Sequence, residues 1–214
     1  VTRGVLHMYN NTGQSCNAPS RMLVPRDKLA AAEAIAAKVT ETMVTIGDTA
    51  DDKTTMGPVV SKVQWDKIQG LINKGIEEGA KVVCGGAGLP DGIDRGYYVR
   101  PTVFSEVNNN MTVAREEIFG PVLTMIPYDS EEEAIKIAND TPYGLAGYVQ
   151  GENIDHARQV ASKIRAGNIH LNGASGGMDV PFGGFKQSGN GREWGSHGFT
   201  DYLEIKAIEG YSAA

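Results

Sequence analysis

The chain contains 214 residues, of which 41% are hydrophobic and 21% charged, and it carries a formal charge of −6 with a pI near 5.3. Such a composition is typical of a globular protein with a sizeable core, and the acidic balance argues against nucleic acid or an anionic membrane as the main partner. No apolar run approaches the roughly 18 residues of a membrane span, so we expect no membrane partner. Cys16 and Cys84 are too few and too dispersed for a disulfide framework or a metal site, which predicts no metal and favours the cytoplasm.

Strand and helix periodicities alternate along the chain, after a first segment, VTRGVLHMYNN, that reads as the last turns of a helix within a longer polypeptide. Strands are predicted at SRMLVP (20–25), KVVCGG (81–86), YYVRPTVFSEV (97–107), PVLTMIPY (121–128), GLAGYVQG (144–151) and NIHLNG (168–173). Helices are predicted at 26–43, 61–79, 130–140 and 153–167. Because helices separate successive strands, the expected fold class is α/β, with a mainly parallel sheet flanked by helices.

Caps and apolar faces can be assigned within these elements. We expect Asp27 to cap the first predicted helix, and Ser130 with Glu133 to form a capping box at the third. The expected inward residues of the helices are Leu29, Ala32, Ile35, Val39, Met43, Ile68, Leu71, Ile72, Ile76, Ile154, Ala157, Val160 and Ile164. The strand KVVCGG is expected to be buried, with Cys84 acting as a small hydrophobic residue.

The character of the sequence changes at Gly173. The glycine-rich segment GASGGMDVPFGGFKQSGNGREWGSHG (173–198) predicts loop with little regular structure. The segment FTDYLEIKAIEGY (199–211) then alternates as a strand does. A strand in this position either pairs with the sheet edge of another subunit or forms an edge strand of its own domain, and the sequence leaves both interpretations open.

Cys16 lies in an unusual setting for a thiol, the polar segment NTGQSCNAPSR (11–21). Gly13 and the small neighbouring side chains would let a substrate approach, and backbone N–H groups in such a turn can face an oxyanion. A reactive thiol needs this kind of access, since the thiolate is the attacking species. From the residues alone, Cys16 is either a nucleophile or an inert loop cysteine.

The segment REEIFGPV (115–122) pairs two acids with an aromatic residue before a Gly-Pro turn. Glu117 could accept hydrogen bonds from ribose hydroxyls and Phe119 could flank a planar ring, although the residues alone favour a capped turn with a core Phe. No phosphate-binding fingerprint accompanies it, because the glycines of SGNGREWG (188–195) have the wrong spacing and GGFKQSG (183–189) lacks the ending of a Walker loop. Four histidines, His7, His156, His170 and His197, keep a Cys–His hydrolase open as an alternative, with His156 expected in solvent and His170 in a structural role.

Taken together, these motifs resemble the aldehyde dehydrogenase superfamily. NTGQSCNAPSR is similar to the catalytic-cysteine loop of that family, and EEIFGPV is similar to its cofactor-contacting motif. NDTPYGLAGYV (139–149) and GNIHLNG…PFGGFKQSGNGRE match its late blocks, so that the resemblance covers the whole chain in the expected order. It implies the catalytic-domain fold of the family over residues 1–185, and a C-terminal tail with an oligomerisation strand over residues 186–214.

The resemblance also implies a mechanism. Cys16 would attack the aldehyde carbonyl, the resulting thiohemiacetal would lose hydride to NAD or NADP, and water would hydrolyse the thioester to the acid. Glu117 would accept the nicotinamide-ribose hydroxyls, Phe119 would pack beside the nicotinamide, and Gln64 and Lys67 would lie near the adenine-side ribose.

Two late residues receive roles by the same resemblance. Phe182 would line the aldehyde channel. Glu193 matches a buried acid of the family with a proton-relay role, and a salt bridge with Arg192 is the structural alternative. The expected partners are a small-molecule aldehyde and further copies of the chain, in a homo-oligomer built through the C-terminal strand.

The sequence also departs from the family pattern. The general-base glutamate, the oxyanion asparagine and the dinucleotide-binding domain would all precede the cysteine loop, and none is present. We therefore expect the chain by itself to be inactive. The alternatives from other functional classes are a structural and assembly module, or an esterase that uses Cys16 without nicotinamide.

Overall fold

The computed structural model describes residues 1–210, which form two sheets surrounded by helices. The strands are β1 (Arg21–Pro25), β2 (Lys81–Cys84), β3 (Thr102–Ser105), β4 (Val122–Tyr128), β5 (Ala146–Val149) and β6 (Asn168–Leu171). The helices are α1 (Thr2–Tyr9), α2 (Leu29–Met43), α3 (Lys62–Glu77), α4 (Thr112–Arg115), α5 (Glu131–Asn139), α6 (Ile154–Lys163) and α7 (Gly195–Gly198). All six strands lie within the segments that the sequence predicts.

The larger sheet has the strand order β1-β4-β3-β2. The pairs β1–β4 and β4–β3 are parallel and β2 joins antiparallel, while β5 and β6 form a separate parallel pair. The mainly parallel α/β architecture is therefore confirmed. Parallel strands with helices on both faces are buried on both faces, which explains why the first five residues of β4 are all buried.

Alternate residues of β4 point into two different core layers. Val122 and Ile126 join Phe104 and the inward side of α3 in one layer. Leu123 and Met125 join α1 and α2 in the other layer. This strand alternation places the larger sheet at the centre of the hydrophobic core.

The helices differ from expectation at their edges. Asp27 does not cap α2, because it belongs to a short 3-10 turn (Arg26–Lys28) that precedes the helix, and α2 begins with no side-chain cap. Within the expected apolar faces, Ile35, Met43 and Ile76 are between 42% and 48% exposed. Periodicity identified the correct sides of these helices, but these three residues lie at the edge of the buried face and are only partly covered.

Two serines begin helices as caps. Ser61 Oγ accepts from the Gln64 N–H at α3. At α5, Ser130 Oγ accepts from the Glu133 N–H as expected, but Glu133 returns its carboxylate to the N–H of Asp129 instead of that of Ser130. The carboxylate of Glu133 thus bonds the N–H one residue before the N-cap, where a regular capping box would use the N–H of the N-cap itself.

The strand β2 is not buried, which corrects the expectation for KVVCGG. Lys81 and Val82 are exposed, and only one neighbour, β3, pairs with β2. Because β2 is an edge strand, Val83 and Cys84 pack against the core layer of α2 without being enclosed. Cys84 is half-buried, and burial raises the pKa of its thiol.

The second sheet is less covered than the first. Residues of β5 and β6 are all partly exposed, and in α6 only Ala157 is fully buried while Ile154 is 40% exposed. The expectation that Ile154 faces inward is therefore wrong. Both strands of the pair pack on α6, and Tyr148 of β5 also contacts His7 of α1.

The C-terminal segment corrects a further expectation. Residues 203–210 are exposed and form no strand within the described chain, and Tyr211, the end of the predicted strand, lies outside the described residues. An edge strand of the chain's own domain is thus absent from residues 199–210. Among the described residues, no helix is long and apolar enough to cross a membrane, and no group of three acidic, histidine or cysteine side chains is arranged to hold a metal.

Candidate active site

Cys16 occupies a tight turn in front of β1. The N–H of Ala18 donates to the carbonyl of Ser15 at 3.0 Å, which places Cys16 and Asn17 at the two central positions. The Cys16 side chain is exposed. The turn connects directly to the larger sheet, since Ser20 O accepts from both the N–H and the Oγ1 of Thr124 in β4.

The approach to this turn is held by side chains as well as by the backbone. Asn11, Thr12 and Gly13 all have left-handed backbone conformations. Gln14 Nε2 donates to the carbonyl of Asn11, and Gln14 Oε1 accepts from the N–H of Val60 at 2.9 Å. The family-like Gln before the cysteine therefore ties the turn to the segment that leads into α3.

Gly13 brings the cysteine loop against the segment 117–120. A Cβ at Gly13 would lie 2.2 Å from the carbonyl oxygen of Gly120, and the φ of Gly13 is +70°. Only glycine fits such a close backbone approach at a positive φ. The two motifs that the sequence singled out separately are thus adjacent in space.

The segment 117–119 is supported from below by α3. Gln64 Nε2 donates to the carbonyls of Ile118 and Phe119 at 2.9 and 2.8 Å, and Lys67 Nζ donates to the carbonyl of Glu117 at 2.7 Å. The two α3 side chains predicted near the adenine-side ribose are therefore bonded to the backbone of this segment. Their contact with a cofactor stays a prediction.

Glu117 and Phe119 are the acid and the aromatic residue that the sequence singled out in this segment. The Glu117 side chain is exposed and makes no hydrogen bond or ion pair with residues 1–210. Phe119 is partly buried and has a φ of +55°, an uncommon conformation for an aromatic residue. The strained backbone at Phe119, held by Gln64, is typical of a functional loop.

Sequence reasoning missed a third contribution, from β5. Tyr148 donates its hydroxyl to the carbonyl of Asn17 at 2.6 Å, and its ring stacks on His170 and meets the edge of His7. Burial, and then proximity to the Cys16 thiolate, raise the pKa of Tyr148 to about 12. The strand pattern could predict that Tyr148 is half-buried, but no local signal indicates a partner 131 residues away.

The histidines do not form a nucleophile–base pair with Cys16. None of them hydrogen-bonds Cys16 in the part of the chain that is described. His170 Nδ1 contacts the carbonyl of Ala174 at 2.9 Å, the structural role expected for it. His156 is exposed, as expected, and pairs with Glu131 on the surface.

Phe182 and Glu193 lie opposite each other, with two backbone hydrogen bonds of 2.7 Å between them. The Phe182 ring packs 5.3 Å from the Trp194 ring. The Glu193 side chain is exposed in this chain, and its proton-relay role stays a prediction. The alternative salt bridge is absent from the described residues, because Arg192 donates to the carbonyls of Gly184, Asn190 and Gly191 instead.

Comparison with known proteins places this arrangement in a family. The model of the aldehyde dehydrogenase family matches residues 1–208. The chain belongs to the aldehyde dehydrogenase family. Among curated relatives, a 3-succinoylsemialdehyde-pyridine dehydrogenase of Pseudomonas sp. is 54% identical over all 214 residues, and a protein called a putative aldehyde dehydrogenase of Staphylococcus aureus is 51% identical over 95% of the chain. This aldehyde dehydrogenase chain spans 45% and 43% of the length of those two relatives.

Solved aldehyde dehydrogenases share the fold. A cysteine-to-alanine mutant of aldehyde dehydrogenase C from Pseudomonas syringae, in complex with NAD+ and octanal, matches with a TM-score of 0.96 and 54% identity, over 100% of this chain and 44% of that one. An aldehyde dehydrogenase from Mycobacterium tuberculosis complexed with NAD+ matches with a TM-score of 0.92 and 41% identity, over 98% of this chain and 44% of that one. The described fold is therefore a portion of the aldehyde dehydrogenase fold.

Proposed function

We propose that this chain is the catalytic-domain portion of an enzyme that oxidises an aldehyde to a carboxylic acid with NAD or NADP, using Cys16 as the nucleophile. The observation that carries the proposal is the adjacency of the exposed Cys16 turn and the Glu117–Phe119 segment across Gly13 and Gly120. The relative from Pseudomonas syringae, with NAD+ and octanal bound to its cysteine-to-alanine mutant, supports both the cofactor and the substrate class.

The reaction begins at the Cys16 thiolate. Its Sγ forms a bond to the aldehyde carbon, the carbonyl π bond breaks, and the negative charge passes to oxygen to give a thiohemiacetal. A backbone N–H of the turn, that of Cys16, donates to this oxyanion and so stabilises it. Collapse of the oxyanion expels a hydride and leaves a thioester on Cys16, and water then cleaves the C–S bond to release the acid and regenerate the thiol.

The residues of the segment 117–119 fit a nicotinamide dinucleotide. The free, exposed carboxylate of Glu117 can accept two ribose hydroxyls, and the partly exposed Phe119 ring can pack against a planar ring. When bound, the dinucleotide supplies the hydride acceptor. Lys67 and Gln64 hold the backbone below these two side chains, so α3 fixes the distance between cofactor-binding groups and the cysteine turn.

Further roles in the same enzyme fall to residues outside the cysteine loop and the segment 117–119. We propose that Phe182 lines the aldehyde channel, and that Glu193 relays a proton once it is covered by the rest of the protein. The exposed tail carries Leu203, Ile205 and Ile208, which support pairing with a second copy of the chain in a homo-oligomer. A cytoplasmic location and the boundary at residue 185 stay predictions.

We propose that the 214-residue chain by itself has negligible dehydrogenase activity. It contains no glutamate block of the kind that supplies the general base in the family and no phosphate-binding fingerprint. Loss of a positioned base and of cofactor positioning costs on the order of 10² or more each in rate. NADH formation by the isolated chain with any aldehyde would contradict this expectation.

The nucleophile is tested in the longer protein that contains this chain. Cys16→Ala is expected to lower aldehyde-dependent NADH formation by more than about 10³-fold, the order seen when a nucleophile is removed. Cys84→Ala is the matched control, since Cys84 lies in β2 away from the turn, and it should retain most of the activity. Equal activity of both variants would reject the assignment.

The esterase alternative is separated by the same two variants. Ester hydrolysis that is fast, depends on Cys16 and needs no dinucleotide, in a protein that does not reduce NAD or NADP with any aldehyde, would replace the dehydrogenase proposal. The free carboxylate of Glu117 beside the cysteine loop favours the dehydrogenase, because a simple hydrolase has no use for a ribose acceptor.

A further inference from the structure

The Cys16 turn is held at one end by the larger sheet and at the other by a single side chain of the smaller sheet. Ser20 O is bonded to Thr124 of β4, whereas Asn17 O accepts only from Tyr148 of β5 among the described residues. The carbonyl of Asn17 shares its peptide plane with the N–H of Ala18, which donates to the carbonyl of Ser15, and the carbonyl of Ser15 shares its own peptide plane with the N–H of Cys16. A donor at this carbonyl therefore acts on the orientation of the turn itself.

The Tyr148 hydroxyl is aimed by its neighbours. The Tyr148 ring lies 5.1 Å from the His170 ring with an interplanar angle of 14°, and 5.0 Å from the His7 ring in an edge-on arrangement. His7 comes from α1 and His170 from β6, so three elements meet around this ring. His170 is in turn held by the carbonyl of Ala174.

We propose that Tyr148 is a positioning residue for the nucleophile: its hydroxyl, held in place by His7 and His170, fixes the Asn17 carbonyl and, through the hydrogen bond from Ala18 to Ser15, the direction of the Cys16 N–H. The inference rests on the proposed role of Cys16 and adds to it a residue outside the cysteine loop. Because the pKa of Tyr148 is raised to about 12, the hydroxyl keeps its proton, and remains a donor, throughout the neutral range.

The variant Tyr148→Phe removes one hydroxyl and keeps the ring stack. In the longer protein, we expect the amide of Ala18, which closes the turn, to exchange with deuterium about five- to tenfold faster, because the turn loses one of its hydrogen bonds. Exchange is followed by mass spectrometry with fragmentation of the peptide that covers residues 11–21. Tyr128→Phe, at the far end of β4, is the matched control and should leave Ala18 exchange unchanged.

Two rates distinguish positioning of the backbone donor from a general structural role. For Tyr148→Phe, we expect kcat/KM for the aldehyde to fall about five- to tenfold, the effect of a misdirected donor to the oxyanion. Alkylation of Cys16 by iodoacetamide needs no such donor, so its rate should change by less than about twofold. Thermal stability should stay close to that of the parent protein.

Each other outcome overturns the proposal. Unchanged exchange at Ala18 would show that the hydroxyl does not hold the turn. A fall in alkylation equal to the fall in kcat/KM, or a large fall in Tm, would show a role in thiol access or in stability instead. The exchange measurement needs no enzymatic activity, so it still decides the role of Tyr148 if Cys16→Ala proves that Cys16 is not the nucleophile.

Discussion

In the larger sheet every residue of β3 and the first five residues of β4 are buried, whereas no residue of β5 or β6 is fully buried. The larger sheet has helices on both faces, and its two core layers share the central strands. The β5–β6 pair packs on α6 and contacts α1 through the ring of Tyr148. The two sheets therefore differ in rigidity, because stability follows the apolar surface that is buried.

The Cys16 turn lies between these two regions. Its base continues into β1 of the well-packed sheet, and its tip contacts Tyr148 of the less covered sheet. A rigid scaffold on one side positions the turn, as functional sites require. The other side contributes one aimed hydroxyl, which can be altered with little disturbance of the core.

The largest expected effect is on the free energy of unfolding, when one leucine is removed from a central strand of the larger sheet and another from the smaller sheet. Leu123→Ala in β4 removes a fully buried side chain and should lower the free energy of unfolding by about 3–4 kcal/mol. Leu171→Ala in β6 removes a half-buried side chain and should cost about 1–1.5 kcal/mol in the same chain. Urea denaturation of both variants measures the difference, and equal losses would mean that the two sheets are equally well packed.

The next largest effect on stability is expected when two glycines, one in each region, are replaced by alanine. Gly13→Ala would place a Cβ 2.2 Å from Gly120 O at a φ of +70°, so we expect a loss of about 2–3 kcal/mol and separation of the cysteine loop from Phe119. Gly151 lies just after β5 of the smaller sheet. A Cβ there would have no contact closer than 3.6 Å, and Gly151→Ala should change stability by less than about 0.5 kcal/mol. Thermal melts would test both, and a tolerated Gly13→Ala would break the proposed adjacency of the two loops.

The smallest effect concerns His7, where the two regions meet. Burial, and then the charge of His170, lower the pKa of His7 below its ordinary value of about 6.5. The unfolded chain therefore binds a proton first as the pH falls, so this group destabilises the fold below about pH 6.5 and has no effect above it. His7→Phe keeps an aromatic edge against Tyr148 and should weaken the loss of stability on acidification.

The measurement for His7 is the urea midpoint of both proteins in neutral and in mildly acidic buffer. Parallel loss of stability in the parent and in His7→Phe would show that His7 does not report on the junction between the sheets.

Sequence patterns located all six described strands but did not predict which of their residues are covered by neighbouring elements. The mainly apolar composition of β4 is visible locally, and the pattern at 81–86 correctly indicated a strand. Burial at Val82 and at Ile76 was predicted wrongly, because it depends on whether a neighbouring element covers the residue. In the predicted terminal strand, residues 200–202 form a 3-10 turn and residues 203–210 are exposed and unpaired within the described chain, so its pairing with a second copy stays a prediction.

The candidate site divides in the same way. The sequence by itself determined the chemistry: a thiol in a small-residue turn, an acid and an aromatic residue before Gly-Pro, and the order of motifs that identifies the family. Only the tertiary structure decided that Gly13 meets Gly120, that Gln64 and Lys67 hold the segment 117–119, and that Tyr148 reaches Asn17. Residue type and spacing fix local chemistry and periodicity, whereas contacts between residues that are far apart in sequence depend on how the sheets and helices pack.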